Sequence, residues 1–240
     1  MELNMEVKKL GIAGSLAVYI PAAILMYCLT KYLIPFLSKV KGQETIFWWF
    51  LVAGLGVFTP LIITGAIILR TEGYALSKST WTGRLRFCRI SKSDLVWTIF
   101  GFIFIAIFSG IAIKGLELIV GKFDHSPSFM AFEPLTKGRY WLLLIWFPYW
   151  ILNILGEEFI WRGVMLPRQE IAFGKYTWLV HGTGWSLFHV AFGWQLLITF
   201  IPLIYIQSYI VQKRKNSWIG VLLHGGINGP SFVAICFGLI

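Results

Sequence analysis

Apolar residues run almost unbroken over 10–29, 46–69, 95–113, 140–166, 176–193, 195–212 and 217–240, separated by short polar or basic stretches. An α-helix rises about 1.5 Å per residue, so about 20 apolar residues cross a hydrocarbon core roughly 30 Å thick. Each run therefore predicts a membrane-spanning helix, because backbone in lipid must satisfy its own hydrogen bonds. The fifth and sixth runs meet near Gly193 with almost no loop, so the expected count is about seven, within a range of six to eight. The first run follows Lys8 and Lys9, as a signal peptide would. It lacks a small-residue cleavage site and more runs follow, so it reads as a retained helix. The predicted fold is all-α: a polytopic transmembrane helical bundle forming a single membrane domain over 1–240, with a basic cytoplasmic linker at 70–94.

Composition agrees with the pattern. The 240 residues are 57% hydrophobic and only 13% charged, against about 25% charged in a typical soluble domain. Cys28, Cys88 and Cys236 are scattered and suggest neither a disulfide framework nor a CxxC metal site. The net charge of +10 resembles a nucleic-acid signal, but its placement suits a membrane instead. With a cytoplasmic N-terminus, 14 of the 21 basic residues fall on the inner side, which is the bias expected of an integral membrane protein oriented N-in. The segment "WTGRLRFCRISK" at 81–92 is expected to lie on the anionic inner leaflet. The partners implied are the lipid bilayer and a membrane-associated peptide or protein, not nucleic acid; oligomeric state is open.

The few acidic residues sharpen the reading. Glu2, Glu6, Glu44, Glu72, Asp94, Asp124, Glu133 and Glu170 fall in tails and loops, and Glu117 near the end of the third run. Only Glu157 and Glu158, in "GEEFIWRG", lie well inside an apolar run. A charge at mid-membrane costs roughly 2.5–3.5 kcal/mol on insertion scales, so such residues face a protein interior and have partners. Helical neighbours four apart share a face. That spacing relates Glu158 to Arg162, Trp185 to His189, and His224 to Asn228.

Depth brings these groups together. Counting from Arg168, Lys175 and Lys215 at the basic ends, Glu157 lies about 16 Å deep, His189 about 21 Å, His224 about 14 Å and Asn228 about 20 Å. Three helices thus place them in one layer, which predicts a catalytic cavity within the membrane. His181 lies nearer the basic end and reads as structural or interfacial. With Arg162 one turn away, Glu158 reads as an ion-paired support, leaving Glu157 to take a proton from water. A neutral imidazole at His189 could hold the same water. His224 and Asn228 offer N–H donors from one face, as an oxyanion hole requires. Ser186, Thr183 and Cys236 have no setting that marks a covalent nucleophile. The chemistry that fits is hydrolysis of an acyl bond, most simply a peptide bond, without a cofactor. One Glu and two His also form a catalytic zinc set, so zinc stays open as an alternative, although the HExxH signature is absent.

In chain order, Glu157-Glu158-Phe-Ile-Trp-Arg162, Trp185-Ser-Leu-Phe-His189 and His224-Gly-Gly-Ile-Asn228 resemble the three motifs of the CPBP family, over about 140–230. That family comprises the Ras-converting type of CAAX prenyl protease and the bacterial Abi, or bacteriocin-processing, membrane proteins. The resemblance implies an intramembrane glutamic endopeptidase. Glu157 would be the water-activating base assisted by His189, His224 and Asn228 the oxyanion pair, and Glu158, Arg162 and Trp185 supports. Trp185 stands where the family commonly has Phe, a departure that reshapes the cavity. Eukaryotic relatives remove the last three residues of prenylated CaaX proteins. This chain looks more like a prokaryotic cell-membrane member, whose substrate would be a peptide precursor, leader peptide or membrane-protein tail. Two other classes compete. One is a non-proteolytic immunity or regulatory member that binds a toxin peptide or sensor kinase. The other is a proton or ion transporter, disfavoured because no internal repeat is present and the polar residues are confined to the C-terminal half.

Overall fold

The structure, a computed structural model, describes residues 6–239, with the Lys137 side chain excepted. Glu2 and the last residue of the seventh expected run lie outside the described residues. Regular structure among the described residues is helical throughout. Six runs are long and apolar enough to cross a membrane: Ile12–Lys41 (α1), Thr45–Thr71 (α2), Lys92–Val120 (α3), Leu142–Phe188, Trp194–Arg214 and Ser217–Cys236. The chain is a polytopic helical membrane protein.

The fourth run has 47 residues, about 70 Å if straight, and must fold back within a core roughly 30 Å thick. It does so at Gly174, whose φ of +53° only glycine adopts readily. His181 Nδ1 then lies 2.7 Å from Gln169 Oε1, a contact that a straight helix twelve residues long could not make. The run therefore comprises α4 (residues 142–173) and α5 (Thr177–Phe188). The remaining helices are α6 (Trp194–Arg214) and α7 (Ser217–Cys236). The seven expected elements are present, but α5 departs from the expected full span over 176–193. Its 12 residues reach about 18 Å, too short to cross. It ends at His189, and Gly193 (φ +94°) reverses the chain into α6.

Three helices contain a wide, π-helical stretch: Leu29–Leu33 in α1, Gly54–Phe58 in α2 and Phe159–Met165 in α4. In each, a proline follows two residues later, at Pro35, Pro60 and Pro167. Proline lacks an N–H, and its ring collides with the carbonyl four residues back. The wide turn makes room for the ring, and the freed carbonyls find other donors. In α2, Thr59 Oγ1 donates to Gly54 O at 2.9 Å. In α4, Arg84 donates to Gly163 O at 2.9 Å and Val164 O at 3.1 Å.

Arg84 belongs to the basic linker, and its own position departs from the inner-leaflet expectation. Rather than facing lipid headgroups, it is buried, and it pairs with Glu72 at 2.8 Å. Glu72, expected in a loop, is itself buried and also meets Arg168 at 3.1 Å. Arg86 and Lys215 hold Glu170, and Arg214 holds Asp94, whose side chain also closes a capping box with Ser91 at the start of α3. This ionic layer closes the basic end of the bundle. At the other end, the 121–141 segment lies across the helix tips. Phe129 is buried against Trp49 and Phe192, Leu135 N donates to Cys236 O at 2.8 Å, and Arg139 pairs with Glu44.

Removing Arg84 takes the donor from two buried carbonyls and from one oxygen of the buried Glu72 carboxylate. Arg84→Ala should destabilise the protein by about 3–5 kcal/mol, read as the unfolding midpoint in detergent. A change under about 0.5 kcal/mol, the size of an ordinary surface substitution, would contradict the assigned role.

Candidate active site

Adjacent residues on a helix project about 100° apart, so the two glutamates of α4 meet different neighbours. Each is followed by a donor one turn on, within the π-helical stretch. Trp161 Nε1 donates to Glu157 Oε2 at 3.2 Å, and Arg162 Nη1 donates to Glu158 Oε1 at 3.1 Å. Asn153, one turn earlier, donates to Glu157 Oε1 at 3.0 Å. From α5, Trp185 Nε1 donates to Glu157 Oε2 at 2.7 Å. Glu157 thus accepts three N–H bonds. A carboxylate offers about four lone-pair positions, so one remains.

Glu158 faces α6 and α7. Its Oε1 also accepts from Gln207 Nε2 at 2.9 Å and His224 Nδ1 at 3.0 Å. The carboxylate fits closely over Gly220. A Cβ there would lie 3.0 Å from the Glu158 carboxyl carbon, so the α6–α7–α4 junction needs glycine at this point. Arg162 is fully buried, and its guanidinium carbon sits 3.6 Å above the Trp185 ring, a desolvated cation–π contact. Glu158 and Arg162 are therefore an ion pair inside the bundle, as their spacing predicted. The contact from His224 to Glu158 was not foreseen.

His189 terminates α5, where the last carbonyls of a helix lack intrahelical partners. Its Nδ1 lies 2.9 Å from Trp185 O. A carbonyl can only accept, so Nδ1 carries a proton, and in the neutral ring Nε2 then keeps its lone pair. The rings of His189 and His224 both stand edge-on to Trp185, each with centroids 5.5 Å apart.

A cavity of about 210 Å³ lies above this layer, toward the 121–141 segment. Glu157, His189, His224 and Asn228 all line it, together with Asn153 and Trp185. Aromatic walls come from Trp49, Tyr149 and Phe192, and His125, Pro127 and Met130 form the roof. Glu158 and Arg162 sit behind the wall. His181 is buried away from the cavity against Tyr19 and Gln169. Ser186, Thr183 and Cys236 are not among the lining residues, whereas Ser231 is. Among the described residues, no three His, Cys, Asp or Glu side chains are grouped so as to hold a metal ion.

Sequence reasoning passed over four participants: Asn153, Trp161, Gln207 and Ser231. Asn153 and Trp161 were readable, since each lies four residues from Glu157. Gln207 and Ser231 had only the weaker signal of a polar residue within an apolar run.

Residues 139–229 match the family model described as type II CAAX prenyl endopeptidase Rce1-like. No curated protein and no solved structure matches the chain. The matched segment spans α4 to α7 and contains all three motifs on which the CPBP resemblance rested, and that resemblance is borne out. The chain is a polytopic membrane protein whose residues 139–229 are similar to the Rce1-like type II CAAX prenyl endopeptidases.

Proposed function

We propose that the protein is an intramembrane endopeptidase that hydrolyses a peptide bond of a membrane-associated or lipid-linked protein or peptide through glutamate-activated water. The observation that carries this reading is the Glu157 carboxylate. Three N–H donors fix its orientation, and it borders a cavity shared with His189, His224 and Asn228.

In this mechanism the remaining lone-pair position of Glu157 accepts a proton from a water molecule in the cavity. His189 Nε2 accepts the second O–H and aligns the oxygen toward the scissile carbonyl. Attack forms a tetrahedral oxyanion. Asn228 Nδ2 donates to it, and so does His224 Nε2 when that ring is an imidazolium. Glu158 supplies the counter-charge at Nδ1 that this form needs. Donors fixed where charge develops typically contribute about 10²–10³ in rate each. Collapse of the intermediate breaks the C–N bond, and the proton held by Glu157 passes to the leaving amine. Glu158, Arg162 and Trp185 touch no reacting atom in this scheme. They hold Glu157 and His224 in place.

With the N-terminus cytoplasmic, as the charge bias suggests, the ionic layer lies at the inner face and the 121–141 roof at the outer one. A cavity with aromatic walls suits an apolar or lipid-tethered segment presented from the bilayer.

Glu157→Gln keeps the shape of the site but removes its base. At matched membrane levels it should lower product formation by about 10²–10⁴-fold. The check is a mass-spectrometric comparison of peptides released from membranes of host cells carrying wild type or variant. A product absent only with the variant supports proteolysis and names the cut site. Identical peptide profiles would reject it and favour a binding or regulatory protein.

Trp185→Phe keeps the ring beneath Arg162 but removes the N–H to Glu157. A hydrogen bond to a charged group contributes about 1.5–3 kcal/mol, so the thermal midpoint in detergent should fall by several degrees, and activity of the folded variant should fall on the order of 10–100-fold. Unaltered activity would show that the indole N–H does not position the base.

A further inference from the structure

A second concavity lies on the outside of the bundle and shares no lining residue with the candidate active site. It is a groove of about 720 Å³ between α3 and the α5–α6 pair, lined by Phe100, Phe104 and Phe108 on one side and Trp178, Tyr205 and Tyr209 on the other. The three phenylalanines are each about half exposed. Along α3 the groove runs from Val96 to Phe108, about 18 Å, which is close to one leaflet of a core roughly 30 Å thick.

Charge marks one end of this groove. Lys92 lies one turn before Val96, Lys213 one turn after Tyr209, and Lys175 three residues before Trp178. Fixed contacts tie together the helix ends that carry these three lysines. Arg214 joins Asp94 at 2.8 Å and so brings the end of α6 to the start of α3. Gln212 accepts from Trp178 N at 2.6 Å and donates to Gly174 O at 2.9 Å, so the residues beside Lys175 and Lys213 are tied together. The acids of this end are already engaged, Asp94 by Arg214 and Glu170 by Arg86 and Lys215. Lys92, Lys175 and Lys213 are exposed and make no ion pair among the described residues.

We infer that this groove is a binding site for an anionic glycerophospholipid of the leaflet at the basic end, with an acyl chain between α3 and α6 and the headgroup phosphate among Lys92, Lys175 and Lys213. An apolar slot of one-leaflet depth that ends in three uncompensated positive charges complements such a lipid at both ends. Basic pockets between transmembrane helices hold anionic headgroups for this reason. The site is independent of the hydrolytic reading, because no groove residue reaches the cavity.

The test uses the full-length protein purified in detergent, with native mass spectrometry reading the lipid retained. Phosphatidylglycerol and phosphatidylcholine with identical chains are compared. Wild type should retain phosphatidylglycerol preferentially. The variant Lys92→Gln/Lys175→Gln/Lys213→Gln should lose that preference, on the order of 100-fold for three charges near a headgroup. The triple Lys→Arg variant should keep it, which separates lost charge from lost fold. Glycerol 3-phosphate, a headgroup without chains, should not displace the lipid. Equal retention of the two lipids by wild type, an unchanged preference in the Gln variant, or displacement by glycerol 3-phosphate would each overturn the inference. So would a dimer whose crosslinks run through Phe104.

Discussion

The site depends on how two carboxylates are kept inside a membrane bundle, and the Trp185 indole is central to the answer. Its N–H bonds Glu157 at 2.7 Å, its face carries the Arg162 guanidinium at 3.6 Å, and the rings of His189 and His224 stand edge-on to it. One side chain thereby links Glu157, the cation that balances Glu158, and the rings that flank the cavity. Phenylalanine would supply the faces and edges but not the N–H. Trp185 therefore supplies a donor to Glu157 as well as shaping the cavity.

The α4 backbone carries this arrangement to the basic end of the molecule. Pro167 forces a wide turn, and that turn places Trp161 and Arg162 beneath the two glutamates while freeing two carbonyls. Arg84 satisfies those carbonyls and is held by Glu72, which also binds Arg168. A linker arginine is thus joined to the π-helical stretch behind the cavity through an unbroken chain of hydrogen bonds. The π-helix, a rare geometry that is frequent at functional sites, has its freed carbonyls met here by Arg84.

Much of this was legible in the sequence. Run length and the scarcity of charge predicted the helices, since the bilayer leaves little choice. One-turn spacing correctly paired Glu158 with Arg162, and counting depth from the basic ends placed Glu157, His189, His224 and Asn228 in a common layer. What stayed hidden depended on contacts between helices. The bond from His224 to Glu158 follows from Gly220 admitting the carboxylate, a matter of packing that no spacing rule reports. Glu72 was expected in a loop and Arg84 on the inner leaflet because they lie between apolar runs, yet the two are buried as a pair. The short reach of α5 was masked because an apolar stretch looks the same whether it crosses or turns back at Gly193.

The central claim is that water, activated by Glu157, attacks the substrate directly, although Ser231 also lines the cavity. Intact-mass spectrometry of the enzyme, acid-quenched during turnover of the peptide it cleaves, tests this most directly. Direct attack predicts a chain of unmodified mass at every time point. An acyl adduct mapped to Ser231 or Glu157 would contradict it and make that side chain the nucleophile.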